Sequence, residues 1–410
     1  MTAMNRRSFL HQSGAFAGVG MMGLTGCLRT KPLLTFAPAG APTLPMYDMP
    51  QGPILPIRAD VDRIFRITVC LRPFRAMGPR MDVETVGDKI IVYNYGHGGS
   101  GWSLSWGSAQ VAVGKALEAT AGSGEVAVIG CGAIGLTSAL TAQRAGLKVT
   151  IYAKERSPYT RSSRATGSWT PDSRIALTSA AAPEFAAQWE SMARASFAMY
   201  QSFLGMPGSP IEWTDRYQLT DEDRSGTQGR RRPEGVHDWA HYNSRIADLT
   251  PKAQLMPPGS TPFPTKYVYR NTSMTFNVAD YSRQLLNDFL IAGGKIETRE
   301  FHTPQDLASL PQKVIISCTG YDSRKLWSDE SVVPVRGQIA WLIPQEGVNY
   351  GINFGDLNVL ARRDGIVVQP GPGGEDFGWN DTNETPDRAA AEAGVRELQE
   401  LYSRMVKKPA

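Results

Sequence analysis

The stretch VAVIGCGAIGLTSAL, Val126–Leu140, limits what this chain can fold into more than any other. An apolar run ends in Gly130-x-Gly132-x-x-Gly135, and a second apolar run, KVTIYAKE, follows after one helix length. This order predicts a strand–turn–helix–strand unit that binds a dinucleotide. Gly130 permits the tight turn, Gly132 lets the backbone approach a pyrophosphate, and Gly135 lets helix and strand pack closely. Ile134 sits in the same turn, and the helix amino terminus stabilises the anion. The second strand ends at Glu155, which is the candidate for the ribose hydroxyls; its alternative is a solvated strand-end charge.

More than a hundred residues precede this turn, and they begin with a targeting segment. NRRSFL, Asn5–Leu10, carries paired arginines, and GAFAGVGMMGLTGC, Gly14–Cys27, is a weakly apolar run rich in glycine. The run is too short and too glycine-rich for a membrane span. It resembles a twin-arginine export signal whose end, Leu24–Cys27, resembles a lipobox with Cys27 as the lipidated residue. The expectation is export by the twin-arginine machinery to the periplasm, with membrane attachment only through a lipid on Cys27. Beyond Cys27 the remaining cysteines, Cys70, Cys131 and Cys318, have no metal-like spacing and form no disulfide framework. A net charge of +4 is too small to argue for a nucleic-acid partner.

With 410 residues, 41% hydrophobic, the chain is long enough for two domains with real cores. Residues 28–60 are proline-rich and read as a tether or surface-hugging arm. RIFRITVCLRP and KIIVYNYG read as strands, and Ser105–Thr120 has helical spacing. Pro183–Leu204, Val278–Ala292 and Pro386–Val406 are further helices; KVIISCTG, GQIAWLI and GIVVQPG are further strands. The turn SCTGYDS after a late buried strand resembles the turn that approaches a flavin's diphosphate in two-domain flavoproteins, which favours FAD over a nicotinamide cofactor.

Several segments resemble the D-amino-acid oxidase family. SPYTRSSRATGSWTP, Ser157–Pro171, is similar to the stretch that wraps FAD there and enters the substrate domain. VIISCTG, PVRGQI and GKIETREFHTPQDL resemble the same family in the same order. CLRPFRAMGPRMD, Cys70–Asp82, followed by YNYGHGGSGWSLSWG, Tyr93–Gly107, resembles its carboxy-terminal part, here placed first. The chain therefore reads as a circular permutation, physically plausible because termini often lie close together at the surface. The join would be EATAGSGE, Glu118–Glu125.

The resemblance implies an α/β fold, with a Rossmann-type FAD-binding domain and an α+β substrate domain built on a mixed or antiparallel sheet. The divisions are 1–27 for the export signal, 28–60 for the linker and 61–123 for the permuted segment. FAD-binding parts follow at 124–175 and 276–330, and substrate-domain parts at 176–275 and 331–410. FAD contacts fall to Lys154 with Glu155, to Ser162, Ser163, Gly167 and Trp169, to Phe301 and His302, and to Cys318, Thr319 and Gly320. Gly98, Gly101, Trp102 and Ser103 fall at the flavin pyrimidine. His97, in the same bend, reads as a turn residue with a local hydrogen bond.

Two residues carry the implied chemistry on a small-molecule amine substrate. Arg72 matches the arginine that grips the substrate carboxylate, and Gly99 the glycine whose carbonyl holds the amine. From its own sequence context alone, Arg72 would read as a surface ion pair. The family's pocket tyrosines fall near Phe354 and Asn358, so both hydroxyls are lost; Tyr350 is close but not at the aligned place. Arg362 and Arg363 supply replacement charge or are ordinary surface arginines, the latter preferred. The leading expectation is an exported FAD oxidoreductase converting a D-amino acid to a 2-oxo acid and ammonia. The alternatives are an oxidase of a modified amino acid, peptide or other amine, and a flavin-binding lipoprotein without turnover.

Overall fold

Apolar runs that alternate between two buried faces build the first layer of the structure. In this computed structural model, which describes residues 54–121, 124–223 and 236–405, the chain forms fourteen strands and six α-helices among the described residues. In chain order they begin β1 (Ile64–Phe74), β2 (Val83–Val86), β3 (Lys89–Tyr93), α1 (Gly101–Ala119), β4 (Glu125–Ile129), α2 (Ala133–Arg144) and β5 (Lys148–Ala153). Next come α3 (Phe185–Gln201), β6 (Ile211–Thr220), β7 (Gln254–Leu255), β8 (Tyr267–Phe276), α4 (Val278–Ile291), β9 (Lys295–Thr298) and β10 (Val314–Ser317). The rest are α5 (Ser323–Leu326), β11 (Val333–Leu342), β12 (Tyr350–Phe354), β13 (Leu357–Arg362), β14 (Gly365–Pro370) and α6 (Arg388–Ser403). The export signal, Cys27, most of the proline-rich linker and the centre of the EATAGSGE join lie outside the described residues.

Six strands form one sheet in the order β2-β3-β10-β4-β5-β9, parallel except at the β2 edge. Val126 and Val128 of β4 face α1, α2 and α4, while Ala127 and Ile129 face Leu307 and Leu310. Burial on both faces is why these strands read as continuous apolar runs. The other sheet has the order β1-β11-β14-β13-β12-β6-β8-β7 and is antiparallel except where β12 meets β6. One of its faces is covered by α6 through Ala391, Val395, Leu398 and Leu401.

Residues upstream of the glycine turn are woven into both sheets. β1 runs against β11 from Ile64↔Leu342 to Phe74↔Val333, and β3 lies parallel to β10. The far end of the chain returns to the same place: Gln399 in α6 donates to Asp60 at 2.8 Å. Residues 54–60 lie on the larger sheet, where Ile57 and Ala59 are buried.

One expectation, that Arg362 is a surface arginine, needs correction, and the segment before it takes a definite form. NYGINFGDLNVLARR is a hairpin of two strands, β12 and β13, turning at Gly355–Asp356. Tyr350 points to the face opposite the cavity described below, where its hydroxyl donates to the Leu55 carbonyl at 2.6 Å and meets Tyr402. Arg362 is no surface arginine: its side chain is fully buried, paired with Asp364 at 2.5 Å, and it donates to the Ala165 carbonyl. Arg363 is exposed and pairs with Glu212. Both charges are thus already engaged.

Candidate active site

A cavity of about 1070 Å³ is lined by both sheets and by the segments that cross between them. At one end lies the glycine turn. Gly130 has φ +106°, in the region that favours glycine, and its N–H donates to the Tyr152 carbonyl at 2.9 Å. A Cβ there would stand 2.5 Å from the Cys318 carbonyl oxygen. Gly135 does not line the cavity; it packs directly on the Gly130 carbonyl, letting α2 approach β4. At the start of α2, the Ala133 N–H donates to the Ser162 hydroxyl at 3.0 Å. The residues that end β5 and β10 complete this end. Lys154 pairs with Asp322 at 2.8 Å, Arg161 meets the same carboxylate at 3.0 Å, and Glu155 is exposed at the rim.

The bend before α1 forms the middle of the cavity. Gly98 N–H donates to the Pro73 carbonyl at 2.8 Å and Gly99 N–H to the Ser173 carbonyl at 2.9 Å. Trp102 Nε1 donates to the Ser162 carbonyl at 2.9 Å, and the Ser103 hydroxyl accepts from Thr170 N–H at 2.9 Å. The amino terminus of α1 at Gly101 opens on the cavity, so its partial positive charge falls there.

His97 anchors this bend from behind. Its Nε2 and the Ser108 hydroxyl are 2.7 Å apart, and burial pushes its pKa down to about 3. Below the ordinary histidine value of about 6.5 the unfolded chain takes a proton that the folded chain refuses. Stability therefore falls with pH from that point, by about 1.4 kcal/mol per unit. The melting temperature is expected to drop between pH 6.5 and 5, above the carboxylate range, and His97→Asn is expected to flatten that drop. An unchanged slope in the variant would assign the loss to other groups.

The third part of the cavity is the open face of the larger sheet. Arg72 lies on β1 with its guanidinium across β11, donating to the carbonyls of Val335 at 3.4 Å and Arg336 at 3.2 Å. It has no carboxylate partner among the described residues, and burial lowers its pKa. Its place depends on Gly337, where a Cβ would lie on the guanidinium itself.

The chain matches the FAD-dependent oxidoreductase family over residues 125–408. It belongs to that family. Similar proteins include the D-amino-acid oxidase of Rubrobacter xylanophilus, 26% identical over 282 residues, covering 68% of this chain and 77% of that protein. The D-amino-acid oxidase of Streptomyces coelicolor is 27% identical over 280 residues, covering 65% and 75%. Among solved structures, the L-amino acid deaminase of Proteus vulgaris lacking its specific insertion aligns with a TM-score of 0.44 and 13% identity. That alignment covers 68% of this chain and 74% of the deaminase.

FAD is the family's cofactor, and the residues present here fit it. The cradle at Gly130 and Gly132 is space that a Cβ would fill, against Cys318 and against Ser162 Oγ at 2.8 Å. The positive amino terminus of α2 suits a diphosphate, and the volume exceeds that of a pocket for a drug-sized ligand. The cavity brings together Ile134, Gly167, Trp169, Phe301, His302, Thr319 and Gly320 with the glycine turn, and Phe354 and Asn358 with Arg72. Ser163 is not brought in: its hydroxyl bonds Thr160 and Ser157 instead. Sequence reasoning missed Gln218 and Gln369, which line the cavity; each is a lone amide in a strand, and only strand register reveals their company.

Proposed function

We propose that this FAD-dependent oxidoreductase oxidises the amino group of an α-amino carboxylate, most simply a D-amino acid. The carbon–nitrogen double bond formed is then hydrolysed to a 2-oxo acid and ammonia. The observation that carries this reading is Arg72, a half-buried guanidinium with no carboxylate partner among the described residues, lining the cavity. Bound FAD would supply the acceptor for the α-carbon hydride. The fork of Arg72 would make two parallel charge-assisted bonds to the substrate carboxylate and fix the α-carbon. The Gly99 carbonyl would accept from the amine. The positive end of α1 would stabilise negative charge that gathers on the reduced ring. The two relatives' names support the same substrate class.

The deciding experiment is an anaerobic absorption spectrum before and after adding D- and L-amino acids. Bleaching by D-isomers alone is expected, and admitting air then separates oxidase from dehydrogenase. Bound flavin that no amine bleaches would favour the non-catalytic reading. Gly337→Ala is expected to copy part of an Arg72 defect, raising KM about tenfold or more by displacing the guanidinium. An unchanged KM would show that Arg72 does not hold the carboxylate from this position.

We also read the chain as a circular permutation. The family match starts at Glu125, the first residue of β4, yet residues 64–119 supply β1, β3 and α1. The contact of Gln399 with Asp60 sets the end of α6 beside the entry to β1. A chain reordered to begin at Glu125, with Met405 joined to Val61, is expected to fold and bind FAD. Export through the twin-arginine signal with lipid on Cys27 belongs to the same proposal, and mass spectrometry of the mature amino terminus tests it.

A further inference from the structure

Four carboxamides stand in register across four neighbouring strands of the larger sheet. Gln369 on β14 pairs with Asn358 on β13, Asn358 with Asn353 on β12, and Asn353 with Gln218 on β6. Gln369, Asn358 and Gln218 line the cavity, on the face that carries Arg72. The row is partly self-bonded. Asn358 Nδ2 donates to Asn353 Oδ1 at 2.8 Å, Gln218 Nε2 donates to the Asn353 carbonyl at 3.3 Å, and Gln369 Oε1 accepts from the Thr166 hydroxyl.

What these bonds leave over matters more. Among the described residues the Gln369 Nε2 donor and the Gln218 Oε1 acceptor have no partner, and Asn358 Oδ1 is buried without one. Unsatisfied buried polar atoms weaken a fold, and the middle of a covered sheet ordinarily fills with apolar side chains. The neighbouring cluster of Trp341, Leu360 and Val367 does just that. The amide row therefore keeps donors and acceptors of neutral type where packing alone would favour leucine or valine.

We propose that this row recognises a neutral amide on the substrate side chain, a carboxamide or a peptide-like group. The proposal rests on Arg72 holding the α-carboxylate. Side chains directly opposite on adjacent strands stand about 5 Å apart, a gap that one planar amide can bridge. Gln369 N–H would then meet the substrate's carbonyl while Asn358 Oδ1, on the adjacent strand, accepts from its N–H. An apolar side chain satisfies neither atom, and a carboxylate brings lone pairs towards an acceptor. The row holds no cation. Arg216, one register row away opposite Gly351, donates to the Thr275 hydroxyl at 2.7 Å, and its Nη1 is unpaired and buried away from the cavity lining.

The test compares near-isosteric D-amino acids on the FAD-loaded enzyme. D-Glutamine and D-asparagine are set against D-methionine and D-leucine, and against D-glutamate and D-aspartate. The expected result is a preference of about tenfold or more in kcat/KM for the amides. Asn358→Leu is expected to remove most of that preference, read as the ratio of kcat/KM for D-glutamine over D-methionine; Gln369→Leu serves if the first variant loses its flavin. Binding without chemistry is read from the visible flavin band with succinamate, butanoate and succinate, where succinamate is expected to bind tightest. Equal or better use of the apolar substrates overturns the proposal. So does preference for the acids, which would point to Arg216. If no amino acid bleaches the flavin yet succinamate still binds tightest, the row keeps its assignment and the oxidation reading fails.

Discussion

Arg72→Ala is expected to lower kcat/KM for amino-acid substrates by about 10²–10⁴-fold while FAD stays bound. The magnitude follows from two hydrogen bonds to a charged group, each contributing about 1.5–3 kcal/mol. They would form where the cavity wall keeps out much of the competing water, since the guanidinium is half-buried and donates to the carbonyls of Val335 and Arg336. Loss of the side chain should not unfold the protein, because the wild type already bears the cost of a half-buried charge with no carboxylate partner among the described residues. Arg72→Lys is expected to recover little, since one ammonium cannot present a planar fork. Steady-state kinetics with an amino acid and with the matching amine lacking its carboxylate separate the roles. A similar loss on both would mean that Arg72 shapes the cavity rather than gripping the carboxylate.

The dinucleotide-binding unit was legible because its physics is local. Strands β3, β4, β5 and β10 are buried on both faces and appear as apolar runs, and the glycine spacing fixes a turn within a few residues. The larger sheet was not, because its cavity face is polar. IEWTDRYQLT became β6 by alternating Tyr217 and Leu219, which enter the core, with Arg216 and Gln218, which do not. No short pattern in that segment announces which residues stand beside it. Gln218 and Asn358 become near neighbours only through register across β12, 140 positions apart in sequence. Arg362 misled for a related reason. Its type suggested the surface, but Asp364 two residues on and the Trp341 ring at 4.9 Å make a buried site for it. Resemblance brought Arg72 to notice, and the structure adds how Gly337 makes room for it.

Gly130→Ala is expected to weaken FAD binding by 10²-fold or more, and Gly114→Ala to leave it unchanged. The turn at Gly130 is pinned from both sides: its own N–H donates to Tyr152, and Cys318 N–H donates to the Ile129 carbonyl at 2.8 Å. A new Cβ, 2.5 Å from the Cys318 carbonyl oxygen, can retreat only by pulling β4 away from β5 or β10. The φ of +106° adds strain of about 1–3 kcal/mol for any residue with a side chain. Either movement withdraws the start of α2 from the place where a diphosphate would accept its N–H groups. Because FAD stabilises only the folded chain, the loss should also appear as a lower melting temperature at fixed FAD. A hundredfold weaker affinity removes up to about 2.7 kcal/mol of that linkage. Gly114 gives the matched control, since it lies within α1 and a Cβ there meets nothing within 4 Å. Alanine at that position should be neutral or stabilising by about 1 kcal/mol. Equal FAD affinity in the two variants would mean that the diphosphate does not lie against this turn, whatever the melting temperatures show.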